Sequence, residues 1–186
     1  MRIESTDRPQ IIAFAGLPGT GKSTLAEALA RASRIPAFAA DWLLGSLKPH
    51  RVFDGIDRPT YIALHDGLIE TLVVRQLMLG QSAITDCLID DETASRFERL
   101  AAEYGADVRV IECVCSDLAL HRSRVEGRKR NIPNWHEIDW EHVENMRAEF
   151  PPLTVDRLVV DAVDPVDANL GRVHDYLGAP LSLGRR

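Results

Sequence analysis

The residues best placed to do chemistry are Gly16-Leu17-Pro18-Gly19-Thr20-Gly21-Lys22-Ser23. They fit G-x-x-x-x-G-K-[ST] without a gap, a spacing that serves to hold phosphate. A loop that wraps an anion must turn its backbone N–H groups inward. Glycine permits the positive φ angles and the close approach this needs. A helix that starts where the loop ends adds its free N–H groups and the positive end of its dipole. In such a cradle Lys22 reaches the β and γ phosphates of ATP, Ser23 offers its hydroxyl to Mg²⁺, and Thr24 follows on the opening turn. Average composition yields a chance match in a chain this long on the order of one time in a hundred. The plain alternative is a glycine-rich turn with a surface lysine. A strand pattern before the motif and a helix pattern after it count against that.

Magnesium needs a further hard oxygen. Asp86 closes a short apolar run, and carboxylates at strand ends sit at the ligand-binding edge of a parallel sheet. Cys87, not Glu, follows it. Mechanical and remodelling ATPases commonly place Glu there to activate water, and GTPases commonly carry Asn-Lys-x-Asp, which does not occur here. Both absences favour transfer to a substrate over hydrolysis.

The elements that position these groups follow from periodicity. Short apolar runs at Ile11 to Ala15, Pro36 to Ala40, Ser82 to Thr85, Val108 to Cys115 and Leu158 to Val160 read as five strands, the first buried on both faces. Helix-period stretches lie between them. Leu25, Ala28, Leu29 and Ala32 mark the first. Thr60 to Leu79 is a long one, with Leu64, Leu68 and Leu72 on its stripe and Gly80 as its stop. Asp91 to Tyr104 turns Ala94, Phe97, Leu100 and Tyr104 inward and stops at Gly105. Ser116 and Asp117 cap a helix to about Val125, and Asp139 caps another that carries Trp140, Val143, Met146 and Phe150. Pro165 opens the last, with Val166, Leu170, Val173 and Leu177 on one face. This alternation predicts an α/β fold with a parallel sheet and right-handed crossovers. One domain over residues 1–186 is expected, with a frayed tail at about 178–186.

With 186 residues, 45% hydrophobic and 27% charged, the chain reads as a soluble globular protein. No apolar run approaches a membrane span, and the polar first ten residues show no signal peptide, so a cytoplasmic location is the default. Cys87, Cys113 and Cys115 form no disulfide framework and read as buried thiols. The net charge of −6 argues mildly against a nucleic-acid coat protein, though Arg122 to Arg130 is a basic cluster. The six histidines lack metal-ligand spacing and read as ordinary.

From about Gln10 to Leu177 the chain resembles the small P-loop kinases, the group of adenylate and gluconate kinases, chloramphenicol phosphotransferase, zeta toxins and the kinase domain of polynucleotide kinase. Members are also described as AAA-domain ATP-binding proteins. The resemblance is firm at Gly16 to Ser23. It implies the P-loop nucleoside triphosphate hydrolase fold, with a five-stranded parallel sheet and a mobile basic lid after the fourth strand, here about 124–138. Arg124-Val125-Glu126-Gly127-Arg128 looks like the Arg-x-x-Gly-Arg segment of the adenylate kinase lid. On that likeness Arg124 stacks on adenine and Arg128 touches phosphate, and guanidinium groups suit both tasks. Arg122, Lys129 and Arg130 are open to the same role, and a solvated basic turn is the bland reading.

Kinases of this group often carry an Asp just after the second strand that binds the acceptor hydroxyl. Asp41 stands there. Two roles are open to it, general base or helix N-cap. Lys48 to Tyr61, mixed and turn-rich, is the natural substrate cover, in which Arg51 is either an anion contact or a surface residue. Trp135, His136 and Trp140 either line the acceptor pocket or pack in the core. The combined expectation is an ATP- and Mg²⁺-dependent kinase acting on a small hydroxyl-bearing molecule. Two alternatives stand beside it: a polynucleotide 5′-hydroxyl kinase, and a nucleotide-gated ATPase or switch with no acceptor.

Overall fold

Gln10–Ala15 is apolar on both faces, and it forms the central strand β1. The structure is a computed structural model and describes residues 8–178; residues 179–186 of the expected tail lie outside that range. The chain order continues α1 (Lys22–Ser33), β2 (Ala37–Ala39), α2 (Ala40–Leu47), a 3₁₀ turn at Lys48–His50, α3 (Arg58–Met78) and β3 (Ala83–Asp86). Then come α4 (Asp91–Tyr104), β4 (Asp107–Val114), α5 (Leu118–Gly127), α6 (Trp140–Glu149), β5 (Leu158–Asp161) and α7 (Val166–Leu177). The five strands form one parallel sheet in the order β2-β3-β1-β4-β5. The order reverses at β1, where strands on either side leave a crevice beyond their carboxyl ends.

Side-chain alternation along β1 assigns the two helical layers. Ile11, Ala13 and Ala15 face α3 and α4 through Ile69, Val73 and Phe97. Ile12 and Phe14 face α1 and α7 through Leu25, Leu29, Val173 and Leu177. A third, smaller cluster joins α5 and α6: Val125, Trp140 and Val143, packed against Leu17 and Ile138. Each fully buried Ile, Leu, Val or Phe contributes about 1.5–3 kcal/mol, so both faces of β1 are strongly held. Register then lines up the chemistry. Asp86 pairs with Phe14 on one side and with Ala39 on the other, so β1, β2 and β3 end level.

Several local expectations shift. Ala40 belongs to α2, not β2, which is only Ala37–Ala39. The buried stripe of α3 is Ile69, Val73 and Leu77; Leu64 is exposed, and Leu68 and Leu72 are half-buried. The helix begins earlier than the apolar pattern, because Asp57 caps it by accepting from the Thr60 N–H at 2.8 Å and the proline after Arg58 suits its first turn. On α7 the inward set is Asn169, Val173 and Leu177, while Val166 is exposed. Asp117 and Asp139 cap α5 and α6 through the Leu120 and His142 N–H groups, as the sequence predicts. Among the described residues no helix is long and apolar enough to cross a membrane.

Candidate active site

The loop between β1 and α1 owes its shape to three glycines. Gly16, Gly19 and Gly21 have φ of 124°, 87° and 85°. A Cβ at Gly16 would stand 2.1 Å from the Cys113 carbonyl oxygen, and one at Gly19 would stand 2.4 Å from Val125 Cγ2. The loop is thus pressed onto β4 and α5 as tightly as a bare backbone allows. Thr20, buried, donates its hydroxyl to the Leu17 carbonyl at 2.7 Å, and Lys22 Nζ reaches the same oxygen at 3.2 Å. Leu17 turns its side chain into the α5–α6 cluster, away from the opening. Gly16, Pro18 and the run from Gly19 to Thr24 line one cavity.

His121 lies directly beneath this loop, and sequence reasoning passed over it as ordinary. It is 2% exposed, its Nε2 sits 2.8 Å from the Pro18 carbonyl oxygen, and its ring meets Trp140 edge-on at 5.1 Å. A carbonyl can only accept, so Nε2 carries the proton and Nδ1 faces Arg147 Nη2 at 3.5 Å. Burial holds its pKa below the ordinary value; the Pro18 bond opposes that, and Arg147, Arg124 and Lys22 reinforce it. A histidine four residues before Val125 on one helix face was the only signal available for it.

The cavity measures about 1770 Å³. Single-ligand pockets are ordinarily about 300–1,000 Å³, so there is room for two molecules side by side. Asp86 and Asp41 both open onto it. Burial raises the pKa of Asp86, against the Lys22 ammonium and the Ser23 hydroxyl, while Asp41 and Glu27 add to the rise. A hydroxyl, a carboxylate and an ammonium therefore converge at the mouth of the loop. Ser23 and Asp86 are hard oxygen donors of the kind Mg²⁺ takes. Among the described residues no group of three or more His, Cys, Asp or Glu could hold a metal by itself.

Asp41 sits in the first turn of α2, whose N-cap is Ala39 with no side-chain cap bond. The N-cap alternative is therefore removed. Its carboxylate instead accepts from Arg130 Nη1, on the segment after α5. Arg130 also donates to the His136 carbonyl at 2.9 Å, and its backbone N–H donates to Glu137 Oε1 at 3.0 Å. The same segment lies on α2, where a Cβ at Gly45 would stand 2.5 Å from the Pro133 carbonyl oxygen. Arg128 lines the cavity with Nε and Nη2 buried and unpartnered, and burial, with Arg130 next, pulls its pKa down. Arg124 also lines the cavity, and, after hydrogen bonds from Ser116 and Val163, its charge helps lower the pKa of Asp161.

Other residues fall elsewhere. Arg122 is exposed and paired with Glu126 at 2.7 Å, and Lys129 does not reach the cavity. Of the Lys48 to Tyr61 stretch only Arg58 and Tyr61 line it; Arg51 is exposed and bound to Asp54 at 2.6 Å. Trp135 and His136 line the cavity, whereas Trp140 is core. Cys87 and Cys113 are buried thiols, each pushed up to about 12 by burial, and Cys115 is half-buried.

Residues 11–153 match the family described as AAA domain, AAA_33. The chain belongs to that family. Solved structures repeat its fold. A sugar kinase from Janibacter sp. HTCC2649 superposes with a TM-score of 0.66 at 15% identity, covering 96% of this chain and 99% of that one. A gluconokinase from Sinorhizobium meliloti 1021 gives 0.64 at 17%, covering 92% and 97%. The Mycobacterium tuberculosis APS kinase CysC in complex with AMPPNP and APS gives 0.57 at 16%, covering 93% and 99%. At these identities the likeness establishes the fold, that of the P-loop kinases. A search of the curated proteins found no significant match.

Proposed function

We propose that this AAA_33 protein is an ATP- and Mg²⁺-dependent kinase that transfers the γ-phosphoryl group to a hydroxyl of a small molecule. The observation that carries the reading is the meeting, in one two-ligand cavity, of the glycine-built loop with Lys22 and Asp86 and, beyond them, Asp41. The kinase folds of the superposed sugar kinase and gluconokinase support it.

In this reading the N–H groups of the 16–23 loop bind the phosphates, and Lys22 turns from the Leu17 carbonyl to them. Ser23 and Asp86 hold Mg²⁺, which when bound neutralises phosphate charge as a Lewis acid. Arg124 lies along the base. Arg128 gives its unpartnered guanidinium to the phosphate that moves, where charge builds in the transition state. Asp41 orients the acceptor hydroxyl and takes its proton as the new O–P bond forms, while the bond to ADP breaks and ADP keeps the electron pair. Before that Asp41 must exchange the Arg130 contact for the acceptor. Residues 124–138 then serve as a lid that excludes water. Three unpaired thiols suit a reducing, cytoplasmic setting.

The test is labelled ATP with a panel of small alcohols and 5′-hydroxyl oligonucleotides, on wild type and Asp41→Asn. Transfer to a small alcohol that disappears in Asp41→Asn is expected. Transfer only to oligonucleotides would favour the polynucleotide reading, and steady phosphate release without any acceptor would favour the switch.

A further inference from the structure

Asn169, in the first turn of α7, lines the cavity and is only 4% exposed. Its Nδ2 donates to the Asp161 carbonyl at 2.7 Å. That oxygen can only accept, so the bond fixes which end of the amide is which and leaves Oδ1 as the free end. Oδ1 is buried and has no hydrogen-bond partner among the described residues. A buried acceptor without a donor is costly, and folded proteins keep few of them. Neither the fold nor the reaction as described so far uses this one.

The turn beside it is firmly held and touches the phosphate loop. The Asp161 carboxylate accepts from the Ser116 and Val163 N–H groups, each at 3.1 Å, and the Asp161 carbonyl also accepts from the Asp164 N–H at 3.1 Å. The Asn169 N–H reaches the Pro165 carbonyl at 3.1 Å. The turn is thus tied to the chain just after β4 and to the first turn of α7. A Cβ at Gly21 would stand 3.6 Å from Ala162 Cβ, so the turn starts in contact with the loop that would hold phosphate. Val163 and Val166 line the cavity as exposed apolar side chains, and Arg124 lines it as well. Apolar surface and a guanidinium plane are what a flat heteroaromatic ring stacks on. Asp164, which also lines the cavity, is paired with Arg172 at 3.6 Å.

We infer that Asn169 selects the base of the nucleotide: its Oδ1 accepts a hydrogen bond from the exocyclic amino group of adenine. A 6-amino purine brings an N–H donor to that oxygen. A 6-oxo purine, hypoxanthine or guanine, brings a carbonyl there, and two acceptors repel. The empty protein already bears the cost of desolvating Oδ1, so an arriving N–H gains the bond at little further cost. The Asp161 carbonyl holds the amide in place beforehand, which saves the ordering of a loose side chain. The loop amides and Lys22 read phosphate and are blind to the base; Asn169 supplies the missing discrimination. The inference rests on the nucleotide-binding part of the proposed function and does not depend on phosphoryl transfer.

The experiment is calorimetry with Mg²⁺ and a set of nucleoside diphosphates that share ribose and phosphates: ADP, IDP, GDP and purine riboside diphosphate, which carries no group at C6. Transfer from labelled ATP is measured separately. Wild type is expected to bind ADP about tenfold or more tighter than purine riboside diphosphate, the gain of one buried hydrogen bond, with IDP and GDP weaker still. Asn169→Ala should bring the ratio of those two affinities to about one, a coupling between side chain and amino group that a general loss of structure would not produce. The Asp161 carbonyl keeps the Asp164 N–H in that variant. Asn169→Ser, read in the same way, serves if the alanine variant does not fold. Asp164→Asn should keep the wild-type ratio. Equal binding of ADP and purine riboside diphosphate by wild type would overturn the inference. So would an unchanged ratio in the Asn169 variants, or a ratio that collapses in Asp164→Asn instead. No binding of any diphosphate would overturn it together with the nucleotide reading. An ADP preference carried by Asn169 without transfer to any acceptor upholds it and strikes the kinase reading alone.

Discussion

The phosphate half of the cavity is made of backbone, and the acceptor half is made of ion pairs. The first is eight consecutive residues, with glycines at positive φ where β4 and α5 leave no space for a side chain. On the kinase reading its affinity for phosphate would come from N–H groups and a helix dipole, which cannot titrate or rotate away. The second joins residues far apart in the chain: Asp41 with Arg130, Asp66 with Arg96, Arg58 with Glu149. A backbone site is open as folded and accepts any ligand with the right phosphates. A wall of paired charges is closed to the ligands that its own groups already imitate. On the kinase reading, the first half would serve the common nucleotide and the second would select the acceptor.

Substitutions separate the halves by what each one loses. Lys22→Ala removes the one charged side chain of the 16–23 loop. Loss of a preorganised group at a developing charge costs about 10²–10³-fold in rate, so transfer to every acceptor should fall by about that factor or more, as read by labelled ATP. Asp41→Asn removes the acceptor contact and leaves the loop intact. Transfer should fall on the order of 10²-fold, while AMPPNP affinity measured by calorimetry stays at the wild-type value. Equal loss of nucleotide affinity in both variants would erase the distinction between the halves.

The same contrast explains what could be read from the sequence. The loop was legible because its function lies in a contiguous pattern, and the α/β alternation was legible because β1 is apolar on both faces. Asp86 was legible from its place at a strand end. Arg130 was visible only as one charge in a basic cluster, since its partner lies 89 residues away and nothing local marks the pairing. Arg96 was hidden likewise inside an ordinary amphipathic helix. The α3 stripe was misplaced because its leucines outnumber the residues that the sheet buries, and only packing against β3 decides between them. His121 was missed because a second-layer contact to a carbonyl has no sequence motif.

Asp86 sits where the halves meet, and it allows a test by pH. Burial raises its folded pKa above 3.8. The folded protein therefore keeps a proton that the unfolded chain has lost, and stability falls as pH rises from the unfolded value to the folded one. Above that window the full cost remains. Asp86→Asn removes it, so the ligand-free variant should melt higher than wild type at neutral pH, and the gap should close near pH 3.8. The same change should raise the Mg²⁺ needed for half-maximal activity by about 10–100-fold, a factor typical of losing a group that holds or orients a metal. A variant that melts lower at neutral pH would show that Asp86 is not held at a cost in the empty site.

Arg130→Ala sharpens the comparison from the other side. It frees Asp41 without touching the loop. Acceptor-free ATP hydrolysis should rise a few-fold, because a water can then take the place beside the carboxylate that the guanidinium held. Nucleotide affinity should not change. Arg130→Lys keeps the charge but not the fork that reaches both Asp41 and the His136 carbonyl, so its hydrolysis should lie between the two. Unchanged hydrolysis in Arg130→Ala would mean the ion pair does not guard Asp41.

The smallest effect belongs to His121, which supports the phosphate half from behind. Its folded pKa lies below 6.5 because it is buried. As pH falls through 6.5 the unfolded chain takes up a proton that the folded ring refuses, so stability declines from there towards the folded value and the loss is complete below it. One proton limits the slope to about 1.4 kcal/mol per pH unit. His121→Gln can keep an N–H donor for the Pro18 carbonyl and removes the titration. Its melting temperature should therefore lack the acid-side decline of wild type around pH 6, with nucleotide binding retained at pH 7.5. If both proteins follow the same curve, the ring takes up its proton without disturbing the fold. The phosphate half would then rest on its glycines and on the packing of Val125 alone.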